Sequence, residues 1–217
     1  MNRRSGGLTW TVALALLAGA AIQPAAAQTG MAGDAAGPAD LILRNGRILD
    51  GAGNPWFRGD VAIRGERIVA VGDLGDLEAV RELDVSGLYV APGFIDVHSH
   101  AGGGLATPEL SHARPLLAQG VTTVVVNPDG GGPVDLAAQR GALEADGLGV
   151  NVAQMVPHGS VRRAVMGTED RFAGPEELEE MAALVRTGME EGAWGLSSGP
   201  FYVPGSYSDT RELVELA

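Results

Sequence analysis

Ala91-Pro92-Gly93-Phe94-Ile95-Asp96-Val97-His98-Ser99-His100 is the stretch that decides the fold. Phe94 to Val97 reads as a buried strand, entered through Pro92-Gly93 and left through Gly102-Gly103-Gly104. Side chains two apart on a strand point to the same side. His98 and His100 are therefore placed to share one metal ion, at about 2.0–2.1 Å if the ion is zinc. Histidines at the C-terminal end of a parallel strand stand where α/β enzymes keep their chemistry. The plainer reading is two polar loop histidines after a strand.

Downstream, the chain alternates strands and helices, the texture of a βα fold. Thr107-Pro108 predicts a helix start, with Thr as N-cap and Pro in the first turn. His112 would then lie on that helix as a surface residue. Val121 to Val126 is a β-branched second strand, and Pro133 to Ala145 a second helix. Val150 to Val156 is a third strand and Pro175 to Glu191 a third helix, with glutamates in its first turn, where the dipole favours them. Ala193 to Ser197 is a glycine-weakened fourth strand. Ser208 or Asp209 caps a fourth helix that reaches Ala217 with no Gly or Pro to stop it. Four βα units are half of an eight-fold barrel, which takes about 250 residues. The pattern predicts the N-terminal part of a longer barrel over 91–217, with an open four-stranded α/β domain as the alternative.

Upstream, 40–90 predicts a small antiparallel, β-sandwich-like domain. Asn45-Gly46 is a hairpin signal, and a second turn falls between Arg64 and Arg67. Residues 28–39 form a Gly/Ala linker expected to be disordered. Residues 1–27 have the marks of an export signal: Arg3 and Arg4, an apolar run from Leu8 to Ile22, and small residues at Ala25-Ala26-Ala27. Cleavage there leaves no stable membrane span and predicts a periplasmic or secreted protein.

Composition narrows the function. The net charge is −12, and all 15 basic residues are arginine. That balance argues against a nucleic-acid surface. There is no cysteine, which removes disulfides, thiolate metal sites and cysteine nucleophiles together.

Five segments carry a resemblance. PGFxDxHxH over Pro92–His100 resembles the first barrel strand of the amidohydrolase superfamily. Gly120-Val121-Thr122-Thr123-Val124-Val125-Val126-Asn127 is like its second strand. Pro157-His158-Gly159-Ser160-Val161-Arg162 is like the GHGxxR loop after the third, and Arg163-Ala164-Val165-Met166-Gly167 is like the segment that follows. Gly192 to Gly205, with Gly195-Leu196-Ser197-Ser198-Gly199 and Tyr202-Val203-Pro204-Gly205, is like the stretch after the fourth. Together they resemble the N-acyl-D-amino-acid deacylase family.

The resemblance implies a (β/α)8 TIM-barrel hydrolase that uses one or two zinc ions to cleave the amide bond of a small N-acyl-D-amino acid. It implies His98 and His100 as metal ligands. It also implies further histidines and a catalytic aspartate from later strands, so that no catalytic residue is assured within this chain and this part alone is expected to be inactive. The family places a cysteine ligand after the second strand; here the sequence is Asn127-Pro128-Asp129-Gly130. Asp129 either supplies an oxygen ligand or belongs to an ordinary turn. Asp96 either orients a histidine from behind or is satisfied by backbone donors. His158 either contacts substrate or caps backbone groups. Ser198 and Tyr202 are expected to help shape the substrate pocket.

Gly195-Leu196-Ser197-Ser198-Gly199 formally fits a serine-hydrolase elbow, but the Pro200–Gly205 loop that follows is the wrong context for one. The alternatives are another amidohydrolase, such as a cyclic-amide hydrolase of the dihydroorotase or hydantoinase type, and a non-catalytic exported half-domain that pairs with another chain.

Overall fold

The computed structural model describes residues 37–217, in two units divided between Ala91 and Pro92. The expected signal at 1–27, and the linker up to residue 36, lie outside the described residues.

The first unit is one mixed sheet. Its strands are β1 (Ala39–Ile48), β2 (Phe57–Arg64), β3 (Arg67–Gly72), β4 (Ala79–Asp84) and β5 (Tyr89–Val90). The order is β3-β2-β1-β4, with β5 also on β1. The expected antiparallel sandwich is corrected here. β4 and β5 both run parallel to β1, each pairing with a different half of it.

Asn45-Gly46 makes no hairpin either. A two-residue type I′ turn needs positive φ at both positions, and only Asn45 has it, at 64°. β1 instead runs on through a bulge, where the register slips between Leu43 and Gly46. Asp60 closes the bulge, accepting from Asn45 N at 2.8 Å and from Arg44 at 3.1 Å. The hairpin between β2 and β3 forms as read. Ala39, Ile42 and Ala62 form a buried cluster in this unit, and Ile48 and Val61 are buried as well. On its surface the Arg47 guanidinium lies against both the Trp56 and Tyr89 rings.

The second unit holds the βα series. β6 (Phe94–Asp96), β7 (Val121–Val126) and β8 (Asn151–Gln154) are parallel neighbours in that order. After Met155 the chain resumes as β9 (Val156–Pro157), which pairs in parallel with β10 (Leu196–Ser197). Only these two residues of the expected fourth strand form a regular strand, although Trp194 N also donates to Gln154 O and Gly195 O accepts from Val156 N, and Gly195 takes φ 156°. α3 (Leu136–Glu144) follows β7, α4 (His158–Met166) and α5 (Pro175–Glu190) both fall between β9 and β10, and α6 (Thr210–Leu216) follows β10. Asp135 caps α3, and Asp209 caps α6 by accepting from Glu212 N. Glu177 reaches back to Gly174 N at 2.8 Å at the start of α5.

The helix expected at Thr107-Pro108 is absent. Two short helices, α1 (Gly102–Leu105) and α2 (Arg114–Leu117), flank a run of turns that carries His112 on the surface. Thr107 explains the difference: its hydroxyl donates to Gly104 O at 2.8 Å, finishing α1 rather than capping a new helix. One apolar core gathers Leu136, Val156, Val161, Leu178 and Met181; another gathers Leu105, Val124, Val126 and Leu143. The strand expected to be buried over Phe94–Val97 ends at Asp96, and Phe94 and Ile95 on it, with Val97 just beyond, are exposed.

Candidate metal centre

The site forms where β6 and β7 end. Ser99 N donates to Val125 O at 3.0 Å, so pairing with β7 continues past β6. This turns Ser99 inward, where it is buried, and leaves His98 and His100 facing out. β7 delivers the chain into a 3-10 turn, Pro128–Gly130. Asn127 and Asp129 both adopt left-handed backbone there, at φ 63° and 57°. Asn and Asp are the non-glycine residues that tolerate this best.

The Asp129 carboxylate meets both histidines. Its Oδ2 lies 3.1 Å from His98 Nε2 and 3.4 Å from His100 Nε2. One donor atom from each of the three falls within 4.8 Å of the others. These spacings suit a shared ion. Two ligands at about 2.0–2.1 Å from a tetrahedral zinc stand roughly 3.4 Å apart, and imidazole nitrogen with carboxylate oxygen is an ordinary zinc donor set.

Asp96 is placed by the structure among backbone donors. Its Oδ1 accepts from His98 N at 3.1 Å. It shapes the backbone under His98.

A cleft of about 350 Å³ opens beside the donors. His100, Asp129, Ser160, Arg163, Gly199 and Tyr202 are among its lining residues. Tyr202, 54% exposed, stands at this cleft. Ser198 does not line this cleft, and its hydroxyl is hydrogen-bonded to His158 Nδ1 at 3.1 Å.

His158 departs most from expectation. It is the first residue of α4, fully buried, with Nε2 2.8 Å from Glu212 Oε1. Arg162, one helical turn on, pairs with the other Glu212 oxygen and donates to Arg171 O and Tyr207 O. No face of this imidazole is open to a ligand, which removes the reading of His158 as a substrate contact.

Glu212 has no local signal of its role, whereas Ser160 and Arg163 fall within the family-like stretch over 157–167. A larger cleft of about 480 Å³ near Thr122, Arg140 and Asn151 sits by the N-terminal ends of β7 and β8 and contains no histidine.

This site stands on the fold that the comparisons identify. A family model described as "Amidohydrolase family" matches residues 81–205, and the chain belongs to that family. Within it, the chain is similar to a D-aminoacylase from Alcaligenes xylosoxydans xylosoxydans, at 39% identity over 204 residues, covering 82% of this chain and 41% of the relative. Among solved structures, a D-aminoacylase with a binuclear metal centre aligns with TM-score 0.75 and 37% identity, over 82% of this chain and 42% of its own. An N-acyl-D-glutamate deacylase from Bordetella bronchiseptica, solved with zinc and a phosphonate mimic of the tetrahedral intermediate, aligns with TM-score 0.74 and 34% identity, over 83% and 42%. An L-hydantoinase from Arthrobacter aurescens, at TM-score 0.51 and 20% identity over 82% and 37%, shares the fold alone. The chain spans about two fifths of the length of the deacylases it matches. Its second unit is the N-terminal part of their barrel type.

Proposed function

We propose that this chain is part of an enzyme that hydrolyses the amide bond of small N-acyl-D-amino acids with the help of one or two zinc ions. The observation that carries the reading is the convergence of His98, His100 and Asp129 at the strand ends. The similarity to D-aminoacylase and N-acyl-D-glutamate deacylase supports the substrate class. When bound, zinc supplies Lewis-acid polarisation of the amide carbonyl and activation of water.

The chain's own residues have separate tasks. The two imidazoles and the Asp129 carboxylate hold the ion. Tyr202 and Arg163 form a wall of the adjoining cleft, one offering an aromatic face and the other a cation to a substrate carboxylate. Asp129 stands in this role where the family's cysteine would, since a carboxylate oxygen replaces a thiolate in zinc's ligand set.

The test is a paired assay of the whole protein on N-acetyl-D- and N-acetyl-L-amino acids. D-selective hydrolysis that depends on zinc is expected; L-selectivity, or preference for a cyclic amide, would overturn the assignment. We also propose export, supported by the signal-like residues 1–27. An N-terminal sequence of the secreted or periplasmic protein that begins near Gln28 is the expected outcome.

A further inference from the structure

We propose that Ser197 is a positioning residue for the metal centre, acting through the turn that carries Asp129. This rests on the reading of His98, His100 and Asp129 as metal donors. Ser197 Oγ donates to Asn127 O at 2.6 Å and accepts from Gly130 N at 3.2 Å. In an ordinary four-residue turn the first carbonyl and the fourth N–H bond each other directly. Here one hydroxyl is inserted between them and ties both ends of Asn127–Gly130. Three of those four residues have left-handed backbone: Asn127, Asp129 and Gly130, at φ 63°, 57° and 71°. Glycine takes this conformation freely, whereas Asn127 and Asp129 adopt it at a cost that their surroundings must offset.

The surroundings do so from three sides. The Asn127 amide donates to Gln139 Oε1 at 2.9 Å and Met155 O at 3.0 Å, and Gln139 returns a bond at 2.8 Å. Gly199 packs so tightly that a Cβ there would fall 2.3 Å from Asp129 O, and a Cβ on Gly130 would fall 3.0 Å from Gly159 N. Ser197 holds the remaining side. The part of the turn left outward-facing is the Asp129 carboxylate, whose partners among the described residues are His98 and His100. A donor held in this way needs no rearrangement to receive an ion.

The experiment is a double-mutant cycle read by zinc affinity, using the whole protein and isothermal titration. Ser197→Ala is expected to weaken zinc binding roughly 10–100-fold, the range for partners that orient a ligand. The same change made on Asp129→Ala is expected to add nothing, because the clamp then has no ligand to position. Amide exchange at Gly130 N is expected to quicken in Ser197→Ala with or without zinc. Unchanged zinc affinity in Ser197→Ala overturns the proposal. So does an equal loss in both backgrounds, which marks a general structural effect. Unchanged affinity in Asp129→Ala alone overturns instead the donor reading on which the proposal stands. Should Ser197→Ala not fold, Ser197→Thr keeps the hydroxyl and must bind zinc within a few fold of the wild type; a large loss there sinks the clamp.

Discussion

Two histidine–carboxylate pairs lie in the same unit, and their fates are opposite. His98 and His100 are 57% and 71% exposed around a 30% exposed Asp129. His158 and Glu212 are 0% and 1% exposed, at a similar separation. The third member of each group separates them. Arg162 fills the cation's place beside Glu212, so that the buried group is neutralised from within. Among the described residues, no arginine pairs with Asp129, whose partners are the two imidazoles. The second group is neutralised by its own arginine; the first, on the proposed reading, is neutralised by an ion.

That contrast can be broken most forcefully at the buried group. Arg162→Met or Glu212→Ala strands an uncompensated charge, and loss of one partner of a buried pair costs about 3–5 kcal/mol. Urea denaturation should show it, whereas removing both partners as Arg162→Met/Glu212→Leu should recover much of the loss. A double variant no better than either single one would mean that His158 needs Glu212 for more than neutralisation.

At the open group the expected effect is on binding and turnover. His98→Ala with His100→Ala should abolish zinc uptake and activity, while stability without metal stays within about 0.5 kcal/mol, as for other exposed positions. Full metal content in that variant by elemental analysis would reduce the cluster to a surface hydrogen bond. Asp129→Ala should likewise lose zinc affinity by at least roughly 10–100-fold, and Asp129→Cys should regain part of it. If instead only the melting temperature falls, the residue belongs to the turn alone.

The smallest effect sharpens the comparison from outside both groups. Arg171 grips Glu177, which also accepts from Gly174 N, and together they hold the Glu177 carboxyl at about 2 against an ordinary 4.5. Its folded value is depressed, so its contribution is present above 4.5 and is lost as pH falls from there towards 2. Glu177→Gln should flatten the acid limb of stability between those values, leaving zinc affinity at neutral pH unchanged. Equal acid sensitivity in the variant would assign the limb to other carboxylates.

The sequence was most legible where local chemistry is strong. β7 stands at Val121–Val126 as its β-branched run predicts, and α5 and α6 begin where Pro175 and Asp209 announce them. Two histidines two apart at a strand end needed only strand geometry to be placed. Asp129 was visible as an open choice between ligand and turn; the structure makes it a turn residue whose carboxylate also faces the histidines.

What failed depended on partners distant in sequence. Asn45-Gly46 reads as a hairpin until β4 and β5 hold β1 straight from its other edge. Thr107 could bond forwards or backwards, and Gly104 decided it. His158 looked like a pocket residue because Glu212, 54 residues on, carries no mark of its role. Burial, which decided that case, has no local signature.

The Arg47 stack has a practical consequence. It fixes Trp56 in the first unit beside a cation and the edge of Tyr89, while Trp194 sits exposed in the second. Each unit thus carries an indole in a different electrostatic setting. In a protein with Trp10 and either of these changed to Phe, intrinsic fluorescence would follow one unit at a time through a denaturant series. Coincident midpoints for the two singly emitting proteins would mean that the small sheet and the barrel segment unfold together. Separate midpoints would give each its own stability, measured without cutting the chain.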